Sequence, residues 1–399
     1  AISTRGMLPP LTFQTGPDGL RVRSRLHDAA VEYHVPGDYP VEQTTAPFEL
    51  LSDCEARRDD PVQLEATSEG RVVAQWRDGN VPQITQYDAP DPVDAAEFPR
   101  LPEKVGENPP GSLKALHDAM QTTDPEAVRY ATSCMQLRGT AGQIVATDGR
   151  QLLVQSGFEF PWKDDVLVSR TKVFGSRELP QNEPVDIGVN EKWFSVRIGP
   201  WRIFREINAE GRFPEVRRHV PLAKDANAQF LLPQDDAEFL RKNLPRLPGD
   251  DDCNLPVTVD LNGQVVVRSK AGDQATPTEL VLSSTTLSGD PIRLNMNRQY
   301  LARALQLGFR QVHVYSPKVP VLCENEGRQY VWAVLDPESA LAPAEDAIRI
   351  TSAEANTEPH SPLMPNLEGG NEHVCPRLHP PARAAPKRTA AAKRPATAR

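Results

Sequence analysis

No stretch of the 399-residue sequence approaches the roughly 18 consecutive apolar residues that a membrane span requires, and no signal-peptide pattern is visible. Both absences point to a cytoplasmic protein with no membrane partner. Aromatic residues are scarce at 6%, while hydrophobic residues make up 39%. That excludes one large aromatic core and favours several small sheet-and-helix modules, two or three for this length. The five cysteines (Cys54, Cys134, Cys253, Cys323, Cys375) are widely spaced, odd in number and free of any C-x-x-C pair. They fit buried thiols in a reducing compartment better than a disulfide framework or a zinc site. Also missing are G-x-S-x-G, H-E-x-x-H, a P-loop and G-x-G-x-x-G, and Asp148 has no identifiable catalytic partner. The sequence therefore carries no sign of an enzyme and implies no cofactor and no metal. Proline is abundant instead: 39 residues, about twice the usual share, punctuate loops and strand ends.

What the sequence does hold is a repeat with a period near 120 residues, too long for a solenoid unit and therefore a domain. Three turns place a glycine before a strand: Asp18-Gly19-Leu20-Arg21-Val22, Ala141-Gly142-Gln143-Ile144-Val145 and Asn262-Gly263-Gln264-Val265-Val266. Their glycines lie 123 and 121 residues apart, and each opens the apolar–polar alternation of a half-buried strand. Pro61 to Leu64, Pro184 to Ile187 and Gln311 to Val314 start further strands in step. Before each stands a core pair on a short predicted helix: Leu50-Leu51, Val173-Phe174 and Tyr300-Leu301. The spacing predicts domains at 1–103, 104–221 and 222–340, followed by a disordered tail over 341–399.

Net charge is −9, which by itself argues against nucleic acid. The cations are not evenly spread, however. From Arg377 onward there are seven basic residues and no acid, which leaves −16 on residues 1–376. In the last copy Met296, Tyr300, Leu301, Ala304 and Leu305 share a predicted helix face, opposite Arg298, Gln299, Arg303, Gln306 and Arg310. A second helix near Asp235 to Arg246 is expected to bury Phe239, Leu240 and Leu244 while showing Arg241, Lys242 and Arg246. The middle copy offers Lys114, Arg170, Lys172 and Arg177. Each such face alone is ordinary solvated surface; the same bias in two copies points to a shared basic surface.

Three consecutive modules of this kind resemble the beta subunit of bacterial DNA polymerase III, the beta sliding clamp. Local motifs agree. Val145-Ala146-Thr147-Asp148-Gly149-Arg150-Gln151-Leu152 is similar to that family's "ATDG-x-x-L" strand and turn, and Gly211-Arg212-Phe213-Pro214-Glu215-Val216-Arg217-Arg218 to its "GRFPDYRR" linker. Arg5 to Leu11 resembles "R-x-x-L-P-I-L", Phe98-Pro99-Arg100-Leu101 the "FP-x-L" that ends the first domain, and Leu294-Asn295-Met296 the start of the last helix. The likeness spans about residues 5–337. It implies an α+β fold of three tandem DNA-clamp domains, with antiparallel sheets outside and short helices lining the inner face. It further implies a non-catalytic processivity factor that closes as a homodimer ring around double-stranded DNA, whatever its sequence. Such a chain carries a polymerase label only by association.

The resemblance also assigns sites. For DNA these are Arg5, Arg129 and Tyr130, joined by the basic helix residues Lys114, Arg170, Lys172, Arg241, Lys242 and Arg298. For a short peptide from the polymerase III core, the clamp loader or other clamp-motif proteins, the implied pocket is Thr147, Gly149, Arg150, Leu152, Pro214, Arg218, Asn295, Val319 and Val331. The Thr147-Asp148-Gly149 turn occurs in the middle copy alone, which fits a local function and equally an ordinary type I turn. Thr132, Glu126 and His219 depart from the family's residues, and Trp332 to Pro337 replaces its usual ending. The first copy has 18 residues ahead of its turn glycine where the middle copy has about 32, so its opening strand and first helix are expected to be missing. Pro386-Lys387-Arg388 and Lys393-Arg394-Pro395 resemble linker-histone tails and read either as a DNA-binding or as a solubilising segment. Two alternatives stand beside the replicative clamp: a clamp-like paralogue, and a repeat-built scaffold that does not serve the replicase.

Overall fold

The computed structural model describes residues 8–54, 61–68, 70–89, 97–127, 130–250 and 254–355. The first copy comprises β1 (Leu11–Gly16), β2 (Gly19–Arg25), β3 (Ala29–Val35), β4 (Glu42–Ala46), α1 (Glu49–Asp53), β5 (Gln63–Ala66), β6 (Arg71–Asp78) and β7 (Val81–Asp88). The second comprises β8 (Val105–Asn108), α2 (Ser112–Thr122), β9 (Cys134–Arg138), β10 (Gln143–Thr147), β11 (Gln151–Ser156) and β12 (Asp165–Ser169). A 3-10 turn over Val173–Gly175 then leads to β13 (Val185–Val189), β14 (Trp193–Ile198) and β15 (Trp201–Glu206). The third opens with β16 (Ala228–Leu231) and α3 (Gln234–Asn243), then β17 (Pro256–Leu261), β18 (Val265–Ser269), β19 (Thr278–Leu282), β20 (Thr286–Gly289) and β21 (Ile292–Asn297). It ends with α4 (Arg298–Gln306), β22 (Gln311–Val314), β23 (Val321–Asn325) and β24 (Arg328–Trp332). β25 (Ile348–Thr351) and α5 (Ser352–Ala355) follow.

The three repeated glycines do what their positions require: Gly19, Gly142 and Gly263 all have positive φ, which an L side chain rarely adopts. The hairpins they open build a first sheet in each copy, ordered β4-β1-β2-β3, β12-β9-β10-β11 and β21-β17-β18-β19. Each copy has a second sheet: β5-β6-β7, β8-β13-β14-β15 and β16-β22-β23-β24, the last with β20 added beside β16. Copies join edge to edge. β3 pairs antiparallel with β15 from Ala29–Arg205 to Tyr33–Trp201, and β11 pairs antiparallel with β24 from Gln151–Trp332 to Gln155–Arg328. The sheets thereby merge into one of eight strands and one of nine.

Helices pack against these sheets. On α2, Leu113, Leu116, Ala119 and Met120 are buried against Met135, Leu137, Ile144, Phe174 and Phe194. Each large side chain so buried contributes roughly 1.5–3 kcal/mol. The helix expected around Val173-Phe174 is a single 3-10 turn. It sits tightly on α2, since a Cβ at Gly175 would fall 2.3 Å from the His117 ring. The third copy has its own core, with Phe230, Leu240, Leu244, Val259, Leu294, Leu301 and Phe309. That of the first is smaller among the described residues: Ala46, Leu50, Val72 and Ala74. Cys134 and Cys323 are buried free thiols and Cys54 a half-buried one, as the spacing suggested; Cys253 and Cys375 lie outside the described residues.

Two expectations are corrected. Leu294-Asn295-Met296 belong to β21 rather than to a helix. Asn297 enters with extended backbone and accepts the Gln299 N–H at 2.8 Å, so the helix starts at Arg298 behind this cap. The tail is also ordered further than its composition implied. Ile348, Arg349, Ile350 and Thr351 alternate with period two and add β25 to the third copy's first sheet, parallel to β19.

That five-stranded sheet carries a buried ladder of charge. In spatial order its strands supply Arg293, Asp260, Arg268, Glu279 and Arg349, each paired with the next. Arg268, Asp260 and Glu279 are buried, and the outer pairs span 3.1 Å (Arg293–Asp260) and 2.9 Å (Arg349–Glu279).

His313 on β22 is buried with neither ring nitrogen hydrogen-bonded among the described residues, and burial lowers the pKa of its imidazole. As pH falls through about 6.5 the unfolded chain takes up this proton first, so the stability present above that value is lost below it. The urea midpoint should fall between about pH 7 and pH 5, and His313→Leu should flatten that slope. An unchanged slope in the variant would assign the loss to other groups.

Candidate functional site

The helices of the second and third copies form one continuous layer. α3 packs on α4, and α2 on the Val173–Gly175 turn. Between them Asp118 of α2 receives Arg303 of α4 at 3.3 Å and Arg328 of β24 at 3.5 Å, besides Lys114 of its own helix. Arg303 also donates to the Asp118 carbonyl, and Arg328 to the Leu307 carbonyl that ends α4. This buried carboxylate pins one copy's helix to the next.

From this layer Lys114, Lys172, Arg241 and Lys242 reach solvent, as does Arg246. Tyr130 is exposed nearby in sequence. Other expected phosphate contacts are placed differently. Arg298, read as outward-facing, is 5% exposed and donates to the carbonyls of Leu247 and Pro248, closing the turn after α3. It is a structural residue, withdrawn because α4 starts later than its periodicity suggested. Arg170 is half-buried and donates to the Thr123 carbonyl at 2.8 Å, fastening the end of α2. Arg5 and Arg129 lie outside the described residues. The first copy's α1 shows Glu49 and Asp53 to solvent and has no cation within it.

The middle copy's Thr-Asp-Gly turn is tightly built. Thr147 Oγ1 donates to the Gln151 carbonyl at 2.6 Å and accepts the Gly149 N–H at 3.0 Å. Asp148 accepts the N–H groups of Arg150 and Gln151, both at 2.8 Å, the geometry in which aspartate replaces a backbone turn. Gly149 has φ +90°, which an L side chain rarely adopts. Tyr300 of α4 is pushed up to about 12, first by burial and then by the Asp148 carboxylate beside it. The turn is therefore anchored to both the second and the third copy, and Arg150 donates across to Asn254 at 3.0 Å.

Below it lies an apolar cluster of Val145, Leu152, Val154, Tyr315, Leu322 and Val331, with Val216 of the linker laid over it. Leu152 and Val331 are register partners across the β11–β24 joint. Half-buried Phe213 and Val220 flank the cluster, and a cleft of about 200 Å³ opens beside it between Arg138, Gln143, Val154, Val216 and Val220. Of the residues expected in the pocket, Leu152 and Val331 are buried in this cluster, Pro214 is half-buried, and Gly149, Arg150, Arg218 and Val319 stand at exposed positions. Asn295 does not join them. It is 2% exposed, with Thr258 donating to its side-chain oxygen and its amide nitrogen donating to Ser339. Two further cluster members carry no motif: Val154 stands two residues from Leu152 on the same strand face, and Leu322 is the register partner of Val331. Among the described residues there is no group of three or more metal-ligating side chains, and no helix is long and apolar enough to cross a membrane.

Solved structures answer the question of architecture. A DNA polymerase III subunit beta from Pseudomonas aeruginosa matches at TM-score 0.68 and 19% identity, covering 83% of this chain and 93% of the other. The fold is that of the bacterial DNA sliding clamp. A clamp from Bacillus subtilis aligns at TM-score 0.70 and 15% identity (84% and 94% covered). A Pseudomonas aeruginosa clamp bound to griselimycin aligns at 0.69 and 17% (84% and 94%). No family model and no curated protein matches the sequence. The clamp fold thus persists here on hairpin spacing and core pattern, with few shared side chains.

Removing the Asp118 charge leaves Arg303 and Arg328 partly buried without their acid. Asp118→Asn should lower stability by about 2–4 kcal/mol in urea unfolding, since breaking a buried pair costs more than the pair contributes. An unchanged midpoint would show that the joint between copies does not rest on this carboxylate.

Proposed function

We propose that the chain is a DNA sliding clamp: a non-catalytic processivity factor that closes as a two-chain ring around duplex DNA and recruits replication proteins through the cluster under the Thr147–Leu152 turn. The observation that carries this reading is the open arc of joints. Two copy-to-copy joints are made within the chain, and the same repeat pattern sets β19 and β7 as the complementary pair for a second chain, with β25 lying along β19 on that side. Lys114, Lys172, Arg241 and Lys242 would meet phosphates rather than base edges, giving weak contacts that permit sliding while closure supplies residence time. The apolar floor with polar rim groups suits capture of a short linear motif from the polymerase III core, the clamp loader or other clamp-motif proteins. Cytoplasmic localisation belongs to the same reading.

A second reading, a clamp-like paralogue or DNA-binding scaffold apart from the replicase, is favoured by one observation. Arg298 and Arg170 are committed to internal carbonyls, and α1 presents acids, so the basic lining is thinner than the helical pattern promised.

A ring should stay on closed circular DNA and leave once the circle is cut. Equal retention on circular and linear DNA would rule out topological tethering. For the pocket, Leu152→Asp abolishes peptide capture only together with damage to a buried cluster, so the exposed Val319→Asp is the cleaner variant. It should weaken binding of a polymerase-tail peptide at least about tenfold, a loss of roughly 1.4 kcal/mol. Undiminished binding would place the pocket elsewhere.

A further inference from the structure

In the first and second copies the third strand of the first sheet receives the last strand of the following copy's second sheet. β3 receives β15, and β11 receives β24, both antiparallel. β19 is the corresponding strand of the third copy and β7 the corresponding last strand of the first. β7 pairs with β6 alone among the described strands. From Val81 to Tyr87 it carries no charge, and Val81 and Ile84 are 58% and 70% exposed. Long uncharged edges of this kind are ones that proteins normally pair or cover. The β19 edge is not free: β25 of the same chain lies along it, with Thr278–Ile348, Glu279–Arg349, Leu280–Ile350 and Val281–Thr351 in register.

We propose that the β19 edge has two alternative occupants, the chain's own β25 and β7 of a second copy, so that β25 is a displaceable strand holding the chain unassembled. The inference rests on the ring reading above and adds to it a gate on closure. The bonds that hold β25 suit a strand meant to leave. Ile348 and Ile350 remain 57% and 41% exposed, so little apolar surface is buried beneath them. Ile348 N–H donates to the Pro277 carbonyl, Ser352 Oγ accepts the Ser283 N–H, and Arg349 ends the charge ladder on Glu279 from a largely exposed position. Withdrawing Arg349 leaves two arginines (Arg293, Arg268) against two acids (Asp260, Glu279), a balanced set that does not need the fifth member. β25 also runs parallel to β19, whereas both internal joints are antiparallel, so it fills the seat without reproducing the joint.

The test uses the intact chain and light scattering over a range of concentrations. At low concentration the parent should show the 44.1 kDa mass of one chain, dimerising only towards the top of the range. Ile348→Pro combined with Arg349→Asp removes a backbone donor and sets an acid against Glu279; it should release the edge and tighten dimerisation at least tenfold. The converse variant, Thr278→Cys with Ile348→Cys, joins register partners by a disulfide. Oxidised, it should stay monomeric at every concentration and recover the parent's behaviour on reduction. Parent and released variant dimerising equally, or an oxidised pair that still dimerises, would overturn the gate and leave the ring reading standing. All forms monomeric would overturn the gate together with closure through this edge, and retention on circular DNA would then decide the ring reading separately.

Discussion

Edge-to-edge strand pairing is the constraint on which the rest depends. Each joint between copies is a run of five register pairs, and a backbone hydrogen bond contributes only about 0.5–1.5 kcal/mol net. Such a seam would be marginal alone. At the second joint it is reinforced on both faces of the merged sheet: the Asp118 cluster binds helix to helix on one, and the apolar patch around Leu152 and Val331 is covered by the linker on the other. The same seam therefore positions the helix layer and the candidate pocket. Neither exists in an isolated copy.

The electrostatics follow from which arginines the fold consumes. Residues 1–376 carry −16, and several cations that a helical wheel would assign to the surface are spent indoors. Arg298 and Arg170 satisfy the carbonyls of helix ends, and Arg303 and Arg328 neutralise Asp118. What remains for an anionic ligand is a small set of lysines and arginines on one layer. Screening limits each to about 8–10 Å at moderate salt, so proximity among them matters more than the overall charge.

Much of the architecture was legible because it is written in spacing. The glycines that require positive φ and the period-two strands recur at one interval and the hairpins fall where they predict, whereas of the expected core pair Leu50-Leu51 only Leu50 is buried. The site was less legible for three physical reasons. The periodicity across Met296 to Leu305 cannot show that a chain enters as strand and turns helical at a cap, which misplaced Arg298. A polar residue such as Asn295 looks like a ligand group until its partners, Thr258 and Ser339, are brought from distant strands. The compositional bias of the segment after Pro337 masks a four-residue alternation whose meaning depends on finding an edge at β19.

The alternating charges of the third copy's first sheet have a consequence for how that sheet assembles. Each strand offers a single ionised side chain, and only one relative alignment brings opposite signs together from Arg293 to Arg349. Sliding any strand by one residue would turn its charge to the other face and strand a buried counterion without compensation. The ladder thus works as a key that rejects misaligned hairpins during folding, a fidelity device in a region whose aliphatic strands, rich in valine and leucine, would otherwise pair almost as well out of step.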